Sequence, residues 1–299
     1  MKIAVAGGTG FLGRSITRAL LDAGHEVVVG SRRRPEKAPL DPRATWVAAD
    51  VTAPETLPAL LAGADAVVDA VQFPNSPIEH PEKGYTFERI DLGGTRNLVD
   101  AAKSAGTPLF IGLSGVGAAE HAPYHWQRFK WQEEQHIAAS GVPYVVFRPS
   151  WVYGPGDVSL NRFLGFAKFL PFVPVIGNGK TRINPLYVED LAAHVVAAVQ
   201  KPEARGRIFE IGGPDVLTMD DVIRTALRVS GRRRFLLHSP KPVMKLVASV
   251  AQFAPGRPLT PDAIDFITMD GVADTAALRE VFGLRLTPLE EGLAAYLKR

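Results

Sequence analysis

The feature that most limits what this chain can fold into is a set of three glycines at fixed spacing. Gly7, Gly10 and Gly13 follow directly on a short apolar run, Ile3–Ala6. One glycine of such a set takes a positive φ in a tight turn, one lets the backbone approach a ligand, and one seats a helix against a strand. A helix starting at Phe11 would aim its free N–H groups back at the turn, which makes a seat for a phosphate. A second apolar run, Val27–Ser31, arrives on the schedule of a strand–helix–strand unit. The segment therefore predicts a dinucleotide cradle built by Gly7, Thr9, Gly10, Phe11, Leu12 and Gly13.

Further candidate strands are Trp46–Ala49, Ala66–Val71, Leu109–Ser114 and Tyr144–Phe147, separated by amphipathic stretches such as Leu12–Ala23 and Thr95–Ala105. Continuous apolar strands alternating with helices predict an α/β fold, a doubly wound parallel sheet covered on both faces. After Arg148-Pro149 the pattern changes. Residues 151–184 are rich in Gly, Pro and Phe, residues 185–200 read as a helix, and Ile208–Ile211 as a short strand. The final stretch reads as mostly helical, with a capping-box form at Thr287-Pro288-Leu289-Glu290. The expected organisation is a Rossmann domain over 1–152 and a smaller, mostly helical substrate-side region over 153–299, of which 183–213 returns to the Rossmann core.

Composition narrows the function classes. Hydrophobic residues make up 46% of 299, enough for a full core and against disorder. A net charge of +3 without a long basic block argues against nucleic acid as a partner. There is no cysteine, which excludes disulfides, thiolate metal sites and cysteine nucleophiles. That agrees with a cytoplasmic protein, and the first residues read as a strand rather than a leader. No apolar run approaches the roughly 18 residues that span a bilayer, so no membrane span is expected. The phenylalanines at 163, 166, 169 and 172 read as core or pocket wall.

Cofactor choice is read at the end of the second strand, where a carboxylate would hold the ribose hydroxyls of NAD. Here Ser31 is followed by Arg32, Arg33 and Arg34. Nothing there repels a 2′-phosphate and arginine pairs with one, so NADP(H) is expected in preference to NAD(H). Asp50, ending the third strand, is placed to accept from the adenine amino group. Val51, Ala70, Val71 and Pro149 complete the expected cofactor strip.

Ala6-Gly7-Gly8-Thr9-Gly10-Phe11-Leu12-Gly13, Ile90-Asp91-Leu92-Gly93-Gly94-Thr95-Arg96-Asn97-Leu98 and Phe147-Arg148-Pro149-Ser150 together resemble the short-chain dehydrogenase/reductase superfamily in its atypical branch. Asn184-Pro185-Leu186-Tyr187-Val188-Glu189-Asp190-Leu191-Ala192 and Phe209-Glu210-Ile211-Gly212-Gly213-Pro214 extend the likeness over most of the chain. Within that branch the sequence is similar to bacterial relatives of the nucleotide-binding accessory subunit of respiratory complex I, and more distantly to NmrA-like proteins. Catalytic members use a Tyr-x-x-x-Lys pair with an upstream serine and often an asparagine. The resemblance assigns the serine to Ser114 and the lysine to Lys130, the latter also as a holder of the nicotinamide ribose. The tyrosine position then falls on Trp126, and Asp91 stands in place of the asparagine.

Tyr124 is the nearest tyrosine, six residues before Lys130. Helical residues four apart differ by about 40° and six apart by about 120°. Tyr124 therefore meets the lysine's face only if it precedes the helix; otherwise it is spaced to pair with Arg128. Two function classes follow. One is an NADP(H)-dependent oxidoreductase acting on a small carbonyl or enone, with Ser114, Tyr124 and Lys130 as catalytic residues. The other is a non-catalytic NADP(H)-binding structural or sensing protein. Expected partners are a small-molecule substrate or none, with room for a protein partner. No metal site is expected: His121 and His125 read as surface residues, and the Gly112-Leu113-Ser114 turn lacks the later glycine of a hydrolase elbow.

Overall fold

The computed structural model describes residues 1–35, 40–74 and 76–297. Its first half runs β1 (Lys2–Ala6), α1 (Phe11–Asp22), β2 (Glu26–Ser31), β3 (Thr45–Ala48), α2 (Leu57–Leu61), β4 (Ala66–Asp69), α3 (Gly93–Ser104), β5 (Phe110–Leu113), α4 (His125–Ala139) and β6 (Tyr144–Pro149). The second half runs β7 (Val152–Tyr153), α5 (Ser159–Phe169), β8 (Phe172–Ile176), β9 (Arg182–Ile183), β10 (Leu186–Tyr187), α6 (Val188–Gln200), β11 (Arg207–Ile211), β12 (Leu217–Thr218) and α7 (Met219–Val229). It ends with β13 (Phe235–Ser239), α8 (Lys241–Ala251), α9 (Pro261–Ile267), α10 (Ala276–Phe282) and α11 (Leu289–Leu297).

The main sheet has seven strands in the order β3-β2-β1-β4-β5-β6-β11, every neighbouring pair parallel. This is the doubly wound arrangement the apolar runs predict. Successive side chains of a strand point to opposite faces, and the packing follows: Ile3 and Val5 join one buried cluster with Ile16, Leu20 and Leu191, while Ala4 and Ala6 join the other with Leu57, Leu98 and Val99. The sheet thus carries two apolar layers, one roofed by α1, α6 and α10 and the other by α2 and α3. Burying both faces explains why its strands lack polar alternation.

Beyond β6 the chain alternates between the sheet and a smaller helical layer. β11 returns to the sheet edge and pairs with β6 from Arg207↔Val145 to Ile211↔Pro149. The outer layer contains the β8–β13 ribbon and helices α5, α7, α8, α9 and α11. Three local expectations need correction. The helix read over 185–200 begins at Val188, because Leu186 and Tyr187 pair with Val152 and Tyr153 instead. Thr287 does not close a capping box; its N–H and hydroxyl donate to the Asp190 carboxylate at 2.6 and 2.8 Å. The box forms at α7, where Thr218 and Asp221 cap each other. Phe169 is neither core nor pocket wall, being 87% exposed.

Candidate functional site

Every parallel strand points its carboxyl end the same way, so the loops after the strands converge on one cleft. Loop residues after the first six strands line it: Gly7 to Leu12 after β1, Ser31 and Arg32 at β2, Ala49 to Thr52 after β3, Ala70 to Phe73 after β4, Leu113 to Val116 after β5, and Pro149 to Val152 after β6. Its volume is about 770 Å³. Open α/β sheets bind ligands in this place, where the strand order reverses beside β1.

The glycine turn divides its duties as the spacing predicts. Gly7 has φ +73°, and a Cβ there would stand 2.6 Å from the Ala70 carbonyl oxygen. A Cβ on Gly13 would stand 2.3 Å from the Gly7 carbonyl oxygen, so Gly13 serves helix–strand contact and does not line the cleft. Gly10 differs: its nearest neighbour is Gly7 O at 3.3 Å, leaving its Cα side open toward the cleft. No side chain caps α1, and the first helical bond is Arg14 N–H to Gly10 O at 3.0 Å. The Gly10 N–H is used within the turn, donating to Gly7 O at 2.9 Å, while those of Phe11 and Leu12 in the first turn of α1 have no i−4 helical partner and can meet a pyrophosphate. These residues fit a dinucleotide.

At β2, the Ser31 hydroxyl donates to the Arg33 carbonyl at 2.9 Å and accepts from the Trp46 indole at 2.9 Å. Arg32 is exposed, lines the cleft, and lies 5.6 Å over the Tyr85 ring. Arg33 is exposed and does not line it. Asp50 lines the cleft, but its Oδ1 accepts from the Thr52 N–H and hydroxyl at 2.9 and 2.8 Å, closing the loop.

The far end of the cleft differs from the family pattern. Trp126 and Lys130 lie one turn apart on α4 and both line it. Trp126 is 4% exposed, and its indole N–H has no acceptor among the described residues. Tyr124 precedes the helix with extended backbone, the geometry the helical spacing requires for it to meet Lys130. It stacks instead on Trp126, ring centroids 4.6 Å apart and planes 6° apart, and does not line the cleft. Arg128 donates to the Ala122 and Pro123 carbonyls, so no Tyr124–Arg128 pair forms.

Lys130 is held by carboxylates: Glu133 at 2.9 Å and Asp91 at 3.3 Å. Burial works against its charge, but Glu133 and Asp91 outweigh burial and hold the ammonium well above the usual lysine range. In the two acids burial prevails. Burial pushes Asp91 up to about 6 and Glu133 up to about 8, with Lys130 pulling back only part of the way. Asp91 sits in a wide, π-type turn (Phe87–Leu92) that turns it inward, where its Oδ2 accepts from the Phe73 N–H at 3.4 Å.

Ser114 follows β5 directly and lines the cleft, yet its hydroxyl donates to Glu134 Oε1 at 2.5 Å. Glu134 is fully buried and also accepts two bonds from Arg148, at 2.7 and 2.6 Å. Sequence reasoning missed Glu133, Glu134 and this use of Arg148. The available signal was a charged residue inside the apolar strand Tyr144–Pro149, which demands a buried anion nearby.

Past Lys130 the cleft opens into a mainly apolar chamber. Phe73, Phe87, Trp126, Phe163, Phe266 and Met269 line it, with Arg162 as the cation of that side among the described residues. His125 meets Glu79 at 3.1 Å, and no metal-ligating cluster occurs among the described residues.

A model of the NAD-dependent epimerase/dehydratase family matches residues 3–212, which contain the cradle, Lys130 and the returning strand β11. The chain belongs to that family. Membership of the epimerase/dehydratase family implies binding of a nicotinamide dinucleotide, and the family is part of the short-chain dehydrogenase/reductase group that the motifs resemble. Among curated relatives, NADH dehydrogenase [ubiquinone] 1 alpha subcomplex subunit 9 of Arabidopsis thaliana is 27% identical over 92% of this chain and 71% of its own. Photosystem II assembly factor Ycf39 of Synechocystis is 27% identical over 100% and 91%. Ceramide reductase of Caulobacter vibrioides is 29% identical over 80% and 74%. The UDP-glucose 4-epimerase of Thermotoga maritima superposes with a TM-score of 0.80 at 20% identity, covering 100% of this chain and 98% of that one, a likeness of fold. No helix among the described residues is long and apolar enough to cross a membrane.

Proposed function

We propose that this epimerase/dehydratase-family protein is an NADP(H)-dependent oxidoreductase that reduces an apolar carbonyl or enone, with Lys130 in place of the family tyrosine as proton donor. The observation that carries this reading is that Lys130 lines the same cleft as the glycine turn while lying one turn from Trp126, a member of the aromatic cluster of the chamber. Arg32 would pair with the 2′-phosphate, which favours NADP(H) over NAD(H). The bound cofactor would supply the hydride.

The chain's own residues account for the proton. Lys130 stays charged because Asp91 and Glu133 hold it so. As the carbonyl oxygen gains charge, the ammonium stabilises it and passes one proton to it. Asp91 and Glu133 keep the ammonium in place, and Lys130, which lines the cleft, regains its proton from solvent once the product leaves. Trp126 and Phe266 wall the reacting end and exclude water. Tyr124, outside the cleft, takes no part.

One observation favours a second reading, a binding protein without turnover: the Ser114 hydroxyl hydrogen is committed to Glu134, leaving no serine donor for a substrate oxygen. A relative named as an NADH dehydrogenase subcomplex subunit and one named as an assembly factor agree with that reading, and a relative named as a reductase with the first. NADPH consumption against a panel of apolar aldehydes, ketones and enones separates them. The reductase reading expects turnover that Lys130→Met lowers about 100-fold or more, the scale of losing a general acid, and that Tyr124→Phe leaves within about twofold.

A further inference from the structure

The forty residues 222–261 contain eight Lys and Arg and no Asp or Glu. Within this stretch α8 faces the wrong way for a helix of a water-facing surface. Its inner side holds Ala248, its one buried residue, and Lys241 and Lys245, which pair with Asp265 of α9 at 2.9 and 2.8 Å. Its outer side is apolar: Val243, Leu246, Val247 and Val250 are 53, 70, 49 and 72% exposed. Those positions are i, i+3, i+4 and i+7, a single stripe, and Phe253, 84% exposed, extends it past the helix end.

The neighbouring ribbon prolongs the patch. Phe235 and Leu237 of β13 are 59 and 46% exposed, and the exposed Phe169 lies beside them, because Arg234 Nε donates to the Leu170 carbonyl at 2.8 Å. Arg232 and Arg233 border this end, and no carboxylate pairs with them or with Arg234 among the described residues.

We propose that α8, Phe253 and the β13 edge form a surface that adsorbs to an anionic lipid bilayer, lying in the headgroup region with the apolar stripe inward. Exposed aliphatic and aromatic side chains on one helix face, rimmed by unpaired arginines and free of carboxylates, match acyl chains below and lipid phosphates above. A second copy of the chain fits poorly, since a two-fold contact would bring Arg232, Arg233 and Arg234 against themselves. The placement also links the bilayer to the cleft: α8 packs on α9, whose Ala263, Phe266 and Ile267 line the apolar chamber. The docking surface agrees with an apolar substrate and does not depend on turnover.

The test is sedimentation of the full chain with phosphatidylcholine vesicles that contain or lack phosphatidylglycerol, at low and high salt. Expected is binding to the anionic vesicles that weakens with salt and is much lower on neutral ones. Arg233→Ala should lower it about fivefold, the contribution of one basic residue near an anionic surface. Leu246→Glu with Val250→Glu should remove it while leaving NADPH affinity and melting temperature in place, since both side chains are exposed. Binding that this double variant leaves intact overturns the proposal. So does absence of vesicle binding, including the case where light scattering finds a dimer that the double variant splits, which would make the stripe a contact between copies.

Discussion

Ser114 gives its hydroxyl hydrogen to Glu134 Oε1 at 2.5 Å, and Arg148 grips the same carboxylate through two further bonds. A serine that directly follows a strand at a family's catalytic position is thereby tied into a buried ion pair.

Removing Glu134 should therefore act on folding first. Glu134→Ala leaves the partly buried Arg148 side chain with its main partner gone, and breaking a buried pair in this way costs about 3–5 kcal/mol. Ser114→Ala removes one hydrogen bond while Arg148 still satisfies the carboxylate, and should cost about 1 kcal/mol. Urea unfolding of the two variants checks the ranking; equal losses would mean that Ser114, not Arg148, holds the carboxylate.

The glycines of the cradle should separate into a folding and a binding class. Gly13→Ala drives a Cβ to 2.3 Å from the Gly7 carbonyl, so the melting temperature should fall by many degrees. Gly10→Ala meets only a 3.3 Å contact and keeps an ordinary φ of −78°, so the fold should survive while the methyl group blocks dinucleotide approach. Thermal melts beside NADPH titrations distinguish them. An alanine at 10 that binds NADPH normally would remove the cradle from the site.

Arg32→Ala should narrow the preference for NADPH over NADH by about tenfold, the scale of one charge-assisted hydrogen bond. Arg33→Ala should change it little, because Arg33 does not line the cleft. Fluorescence titration of both cofactors at fixed salt reads the ratio; equal wild-type affinities would contradict the role given to Arg32.

Stability should fall as pH rises through neutrality. Burial holds Glu133 near 8, so between the ordinary glutamate value of about 4.3 and that point the folded chain keeps a proton the unfolded chain has released. The folded state then binds more protons, and its stability drops with rising pH until it levels off above about 8. Asp91 does the same over a narrower window ending near 6. Glu133→Gln should flatten the decline between pH 6 and 8 and leave below 6 only the share due to Asp91. Melting temperatures across pH 5 to 9 test this, and an unchanged slope in Glu133→Gln would place the proton elsewhere.

The sheet was readable in the sequence because burying both faces leaves strands as unbroken apolar runs, and Ile3–Ala6, Val27–Ser31 and Tyr144–Phe147 all lie within strands of the parallel sheet. The cradle was readable because three glycines at that spacing satisfy three different steric demands. Partner choice was harder. Thr287 and Thr218 present the same local capping signal, yet Asp190, 97 residues away, captures Thr287. Nothing in their local sequence sets Glu133 and Glu134 apart from charges on a solvated helix; only the fold turns them inward, one to Lys130 and one to Arg148. The displacement of Tyr124 depends on a ring stack with Trp126 that helical spacing alone does not encode.

The most direct test of the proposed chemistry follows the hydride. With NADPH deuterated at the nicotinamide C4 position and an apolar carbonyl in the chamber, product mass should rise by one deuterium in the wild type and in Tyr124→Phe. Lys130→Met should give almost no labelled product. If NADPH binds tightly to all three and no carbonyl product carries deuterium, the cleft holds its dinucleotide without reducing a substrate, and the assignment of Lys130 as proton donor is wrong.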